Sequence, residues 1–494
     1  MKKRIISMIL AVALMFSLAA VTGITASAEK YGDFKYELLD DGTVGIYRYY
    51  GNDNDAVIPE TIDERPVTMI MLDAFKFNSN INSITIPNSV TEIHDSAFRG
   101  CTKLSKITIG DNIEHIGNKA FLDTAYYNNS KNWEDGVLYL GNYLLSGNRY
   151  SYNGYENNGL RDTVRGDYTI KDGTTLIAEL AFDNCKELTG ITVPDSISRI
   201  GNYVFGNCTK LETISLPDTI ESIGVEAFNH TAYYNNTENW ENGILYLGNY
   251  LIQSQLIVFD NGYNATYVLQ AEGDVIIKNG TKLIAESAFM SNDKLTGVTI
   301  PGSIKYIDQL TFSNCKNLKS IKLTAGTETI DYHAFAYCDS LENVVLPHGL
   351  KYINNHAFLK CMNLKSIAIP ESVSYIGKCA FGFYTDYDIE DDEWYDKPVP
   401  NFHINCYEDT AGEQYAIDNG FDYTLLSAEY GDVNYDGKVN MLDVLLIRKY
   451  IAKQPIDLDE TLADVTCDDK VNMLDVLLIR KYIAKQPVTL GPKG

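Results

Sequence analysis

Oxygen-bearing side chains stand at alternate positions near the C-terminus: Asp432, Asn434 and Asp436, then Asn440 and Asp443. Counted from Asp432, they fill positions 1, 3, 5, 9 and 12 of a twelve-residue loop, with the backbone carbonyl of Lys438 at position 7 and Gly437 at position 6. A hard cation such as Ca²⁺ takes about six to eight oxygens at roughly 2.3–2.6 Å. Alternate residues of a tight loop turn inward together, and glycine permits the sharp bend. The last ligand is Asp where the usual helix–loop–helix calcium site has Glu; a helix follows the loop, and no amphipathic helix precedes it. A second set starts 32 residues later with Asp464, Thr466, Asp468, Asp469, Lys470, Asn472 and Asp475. There Thr466 offers a hydroxyl for an amide oxygen and Asp469 stands where glycine is wanted, so two Ca²⁺ sites are expected, the second weaker.

Each loop runs into the same seventeen residues, VNMLDVLLIRKYIAKQP, at 439–455 and 471–487. This segment, 430 to about 490, resembles a type I dockerin, the module that attaches secreted proteins to cohesins on a cellulosome scaffoldin. The resemblance implies cohesin contacts from Met441, Leu442, Arg448, Lys449 and Lys453, and from their duplicates Met473, Leu474, Arg480, Lys481 and Lys485. Many members of the family carry Ser or Thr where this chain has Met-Leu, which implies a more apolar contact and a different cohesin. Because the two helices are identical, a near two-fold rotation presents the same patch from either copy. Val444, Leu445 and Ile447 read as core.

The elements before the loops form a repeat array. Phe recurs at 75, 98 and 121, at 182, 205 and 228, and at 289, 312, 335, 358 and 381, always 23 apart within a run. Around it stand Ala97-Phe98, Cys101, Leu104, Ile107, Ile109, Ile113, Ile116 and Gly117, with Pro closing most of the short strands. Apolar residues two apart, as Ile107 and Ile109, indicate a strand. A unit this short cannot bury its own apolar face, so rungs must stack into one core. The pattern resembles BspA-like leucine-rich repeats over roughly two thirds of the chain. The expected fold is α+β: a leucine-rich repeat solenoid of 23-residue repeats with two hairpin insertions, then a small α-helical dockerin with two calcium loop–helix motifs.

The insertions, TAYYNNSKNWEDGVLYLGNYLL from Thr124 and TAYYNNTENWENGILYLGNYLI from Thr231, mark a duplicated 107-residue unit. Tyr126, Tyr127, Trp133, Tyr139 and Tyr143, with Tyr233, Tyr234, Trp240, Tyr246 and Tyr250, could stack sugar rings; alternation favours a hairpin covering the solenoid with these aromatics as its core. Thr85, Thr108, Thr192, Ser215, Thr299, Lys322, Val345 and Ala368 should face solvent as a small, mostly uncharged surface suited to a protein or polysaccharide. Residues 29–70 read as an N-terminal hairpin cap and 71–427 as the solenoid with its own C-terminal cap. The acidic run 386–396 reads as a solvated loop, and Ser427, Ala428 and Glu429 as a short linker to the dockerin at 430–494.

Residues 1–28 carry Lys2, Lys3 and Arg4, an apolar stretch and an Ala26-Ser27-Ala28 ending, the pattern of a secretory signal peptide. Its removal takes three positive charges and moves the net charge from −25 to about −28, which argues against nucleic acid or an anionic membrane as partner. No second long apolar run suggests membrane insertion. Cys101, Cys185, Cys208, Cys315, Cys338 and Cys361 each follow a repeat Phe by three residues, one structural position read as reduced core thiols. The seven His fall at varied positions, implying surface, and there is no HExxH, GxSxG or Gly-rich phosphate loop. Small side chains on the sheet offer no cleft to shift carboxylate pKa values. These features point to a secreted, non-catalytic binding protein of a cellulosome-type complex, with a polysaccharide adhesin or a hidden carbohydrate-active enzyme as alternatives.

Overall fold

The computed structural model describes residues 29–39, 41–149, 163–260, 264–324, 326–388, 393–426, 429–434, 438–454, 456, 458–468 and 470–491. The expected signal peptide, linker residues Ser427 and Ala428, and loop residues Asp436, Gly437 and Asp469 lie outside these. Two compact units divide the chain inside the repeat array: Met1–Val164 with Gly173–Phe182, and Arg165–Asp172 with Asp183–Gly494. The fold is the expected α+β leucine-rich repeat solenoid, followed by a small C-terminal helical region.

In the first unit, Ser83–Ile86 pairs in parallel with Lys106–Ile109, putting Ile84 opposite Ile107 one period on. In the second, Leu295–Ile300, Ser320–Leu323 and Asn343–Val345 continue the same way, with Ile321 opposite Val344. A second ladder of two-residue strands, which the apolar pattern alone had not indicated, brings Ile307, Ile330, Ile353 and Ile376 into one column.

Between the ladders, the segment around each repeat Phe is held by a residue of positive φ two before it and, in all but the last rung, by another two after it, such as Leu310 and Asn314 around Phe312. This tight turn drives the ring inward. Phe289, Phe312, Phe335, Phe358 and Phe381 stack at centroid separations of 4.8, 5.1, 5.0 and 4.9 Å, all essentially buried. Phe75, Phe98 and Phe121 do the same in the first unit. Such aromatic contacts add about 0.5–1.5 kcal/mol each beyond area burial.

The cysteine column has a defined task. Cys315, Cys338 and Cys361 donate their thiols to the carbonyls of Phe289, Phe312 and Phe335 at 3.0, 3.2 and 3.2 Å, and Cys101 does so to Phe75 at 3.1 Å. Burial pushes the Cys101 and Cys361 thiols up to about 12. No disulfide joins any of the nine cysteines, and only Cys467 is exposed.

The insertions do not merely cover the array. Val137–Leu140 and Tyr143–Ser146 form an antiparallel hairpin whose second strand pairs in parallel with Leu176–Ile177, so the insertion takes a place in the short ladder. Ile244–Leu247 and Tyr250–Gln253 repeat this against Leu283–Ile284. Phe34–Leu38 and Val44–Tyr49 make the N-terminal hairpin, and Val44–Tyr49 joins Arg65–Ile70 in parallel.

At the other end, His403–Cys406, a helix at Ala411–Asn419 and Asp422–Leu425 close the array. The described residues of the acidic run are strands. Phe383–Asp388 pairs antiparallel with Glu393–Pro398, supported by Lys397 bonded to Asp386 at 2.8 Å and lying over the Tyr395 ring at 4.7 Å. Alternating Tyr, Thr and Trp supply strand propensity that the carboxylates only decorate.

Candidate functional site

The two loops lead into helices at Met441–Ile451 and Met473–Ile483. Asp443 is fully buried: one carboxylate oxygen accepts the N–H groups of Val433 and Asn434 at 3.1 and 3.3 Å, and the other accepts that of Asn440 at 2.8 Å. The Asn440 side chain accepts from Leu442 N–H at 2.8 Å, completing a capping box. Asp475 repeats the arrangement, accepting the Thr466 and Asn472 N–H groups at 3.1 and 2.8 Å, and it also takes the Thr466 hydroxyl at 2.9 Å. The residue at loop position 12 therefore has two tasks, closing the loop and starting the helix. The Asn-x-x-Asp spacing carries this second role in the sequence beside the ligand spacing.

Asp432 and Asp464 are buried beside Asp443 and Asp475. The two buried carboxylates of each short loop offer the oxygen donors that a hard divalent cation takes. Asn434, Thr466, Asn440 and Asn472 stand partly buried around them; Asp468, Lys438 and Lys470 are exposed in side chain. The amides of Asn440 and Asn472 donate to the Lys438 and Lys470 carbonyls at 3.1 and 3.2 Å. In the second loop, the Thr466 hydroxyl also lies 3.1 Å from Asp464, so its one proton is shared between the Asp464 and Asp475 carboxylates.

Val444, Ile447, Val476 and Ile479 form the inner core of the helix pair with Val433, Leu462 and Val465. Leu445, expected in that core, is half exposed, as is its twin Leu477. They join Met441, Leu442, Met473 and Leu474, all about half exposed, while Arg448, Lys453, Arg480 and Lys485 are exposed and Lys449 and Lys481 partly so. The result is two identical faces, each apolar at the helix start and basic at its end. Lys453 and Lys485 adopt φ of 55°, a left-handed conformation that costs a side chain about 1 kcal/mol relative to glycine.

On the array, Thr85, Thr108, Thr192, Ser215, Lys322, Val345 and Ala368 are exposed and Thr299 partly so; Val57 and Ile276 are also exposed. The insertion aromatics are core. Tyr127, Trp133, Tyr143 and their twins Tyr234, Trp240, Tyr250 are buried, and Tyr126, Tyr139, Tyr233 and Tyr246 are partly buried. Trp133 and Trp240 donate their indole N–H to the Tyr127 and Tyr234 carbonyls at 2.8 and 2.7 Å. The adhesin alternative required these rings on an exposed face, so that requirement is not met.

Carboxylates on the array do shift, contrary to expectation. Burial, with the Glu286 and Asp331 charges nearby, pushes Asp308 up to about 8, and Arg199 opposes this. Burial also raises Glu286. Two of the seven histidines, His333 and His356, share one repeat position and are only partly exposed.

Residues 65–159, 166–258 and 272–387 match the BspA type leucine rich repeat region in six copies, and residues 430–484 match the dockerin type I domain. Both are non-catalytic binding modules. No curated protein matches the chain. Among solved structures, a leucine rich cell surface protein of Faecalibacterium prausnitzii is 24% identical over 70% of this chain and 89% of its own, with a TM-score of 0.25. A leucine-rich repeat protein of Bacteroides ovatus is 21% identical over 81% and 100%, at 0.27. The pneumococcal vaccine antigen PcpA is 17% identical over 81% and 98%, at 0.31. No helix among the described residues is long and apolar enough to cross a membrane.

Proposed function

We propose, from the premise that this chain belongs to the BspA-type leucine-rich repeat family and carries a C-terminal type I dockerin domain, that it is a secreted, non-catalytic adaptor of a cellulosome-type complex. The dockerin binds a scaffoldin cohesin while the repeats hold a second ligand. The observation that carries this reading is the duplicated helix face, on which Met441, Leu442, Leu445, Arg448, Lys449 and Lys453 recur as Met473, Leu474, Leu477, Arg480, Lys481 and Lys485. Side chains of this size left outside a small module, twice and identically, suit a partner that covers one copy at a time.

Asp432, Asn434, Asp436, Asn440 and Asp443, with the Lys438 carbonyl, hold one Ca²⁺; Asp464, Thr466, Asp468, Asn472 and Asp475, with that of Lys470, hold the other. Bound Ca²⁺ supplies the charge that neutralises the buried carboxylates. The chain's own contribution is the capping box, which fixes each helix start to its loop and so sets where the Met-Leu pair stands.

For the repeats, a protein ligand is favoured over polysaccharide. The ring platforms are buried, and the exposed strand face is a ladder of short hydroxyl and aliphatic side chains suited to a broad, shallow contact. The leader at 1–28 takes the chain out of the cell, and the dockerin holds it on the scaffold.

The test is capture of the full mature chain by a panel of cohesins, with and without a calcium chelator. Binding that disappears on chelation supports the adaptor; no binding to any cohesin would refute it.

A further inference from the structure

A column of the array carries residues that packing does not ask for. The position two before each repeat Phe has positive φ throughout and is filled by Asp73, Ser96, Lys119, Tyr203 and others without pattern. In the last three rungs it reads His333, His356 and Cys379. A backbone position with no demand on side-chain type holds three consecutive metal-ligating residues. A carboxylate reaches them from outside the repeat, because the hairpin of Phe383–Asp388 and Glu393–Pro398 brings Asp396 over this edge.

Ligand atoms of His356, Cys379 and Asp396 all lie within 4.8 Å of one another. Asp396 is held on both oxygens, taking the Thr385 hydroxyl at 3.2 Å on one and meeting His356 Nε2 at 3.2 Å on the other. Cys379 is buried, with its thiol close to the Asp396 carboxylate. His356 Nδ1 is buried and makes no hydrogen bond among the described residues. His333 stands against His356 at a ring separation of 5.3 Å and is itself stacked on Tyr332 at 4.0 Å, so the imidazole next in the column is fixed in place.

We propose that His356, Cys379 and Asp396 form a binding site for one borderline divalent transition-metal ion of the zinc type, distinct from the calcium loops. One nitrogen, one sulfur and one oxygen suit such an ion and not Ca²⁺, whose ligands are all oxygen. Tetrahedral bonds of about 2.0–2.3 Å place ligand atoms roughly 3.3–3.8 Å apart, so a contraction of about 1 Å closes the set. As the sulfur–metal bond forms, the Cys379 proton is released to solvent, and the fourth position is left for water or for a donor from a bound partner. The metal would pin the hairpin to the last two rungs, those of His356 and Cys379.

Co²⁺ added alone to the reduced full-length chain is the probe, because a thiolate on cobalt gives an intense near-ultraviolet charge-transfer absorption that oxygen-only calcium loops cannot give. The expected result is that band, saturating at one equivalent, retained in Cys467→Ser and lost in Cys379→Ser. Absence of the band in the wild-type chain, or its persistence in Cys379→Ser, overturns the proposal. Should Cys379→Ser lose the native far-ultraviolet spectrum, His356→Gln decides: Co²⁺ affinity at least about tenfold lower supports the site, and unchanged affinity overturns it.

Discussion

Replacing Asp443 with Ala should dismantle the dockerin and leave the repeats standing. The carboxylate is fully buried and accepts three backbone N–H groups, from Val433, Asn434 and Asn440. Hydrogen bonds to a charged acceptor contribute about 1.5–3 kcal/mol each. Removing a desolvated carboxylate recovers part of that, and the net cost of breaking such a buried arrangement is about 3–5 kcal/mol. A module of roughly sixty residues has only about 3–5 kcal/mol in total, so the variant should be largely unfolded even in saturating calcium. Asp443→Asn keeps one acceptor oxygen and should cost about half as much. Hydrogen exchange of the full chain, followed by mass spectrometry, reads both regions at once. Peptides from Met441–Ile451 and Met473–Ile483 should lose protection in the Ala variant, while those spanning Phe312 to Phe358 keep theirs. Wild-type protection of both helices would refute the account of Asp443, and loss of protection in the rungs as well would refute independent folding of the module.

Three further outcomes follow from the same geometry. Arg448→Ala with Lys449→Ala should weaken cohesin binding by less than about threefold, since the twin face remains, and adding Arg480→Ala with Lys481→Ala should remove most of the affinity; equal loss from the first pair, in calorimetric titration, would rule out dual docking. Cys338→Val takes the thiol donor from the buried Phe312 carbonyl and should cost about 1–3 kcal/mol in urea unfolding, whereas Cys338→Ser, whose hydroxyl can donate to the same carbonyl, should cost less; identical midpoints for Val and wild type would remove the thiol's role. Asp308 keeps its proton to about pH 8 in the fold, against an ordinary value of 3.8, so folding takes up a proton between these limits. The contribution of Asp308 to stability should therefore be greatest below about pH 4 and fall as pH rises toward 8, by at most about 1.4 kcal/mol per unit, and Asp308→Asn should remove that part of the profile; parallel profiles for variant and wild type would contradict the raised value.

What could be read from the sequence follows the period. Phe and Cys recur every 23 residues because each rung must present the same ring to the same neighbour, and packing that repeats leaves a repeating trace. The loop oxygens recur at the spacing that coordination of a cation would require, and the same spacing places Asp443 and Asp475 to cap their helices. The hairpin at Phe383–Asp388 and Glu393–Pro398 was lost under its carboxylates, which mark where solvent is and say nothing of strand pairing. Leu445 lies on the outer face of its helix, where apolar type alone does not separate a packed side chain from an exposed one.

The His356, Cys379 and Asp396 cluster escaped for a different reason. The 23-residue steps run from His333 to His356 to Cys379, so the column changes residue type and leaves no trace in the period of either His or Cys. Asp396 could not have been placed there by any period, because it arrives from a segment outside the repeat. In a solenoid, structure dictates what recurs, and ligand chemistry has to enter where recurrence is broken: at a column whose backbone tolerates any side chain, and at an insertion that can bring a foreign group to it. Both conditions meet at the last three rungs, beside the C-terminal cap.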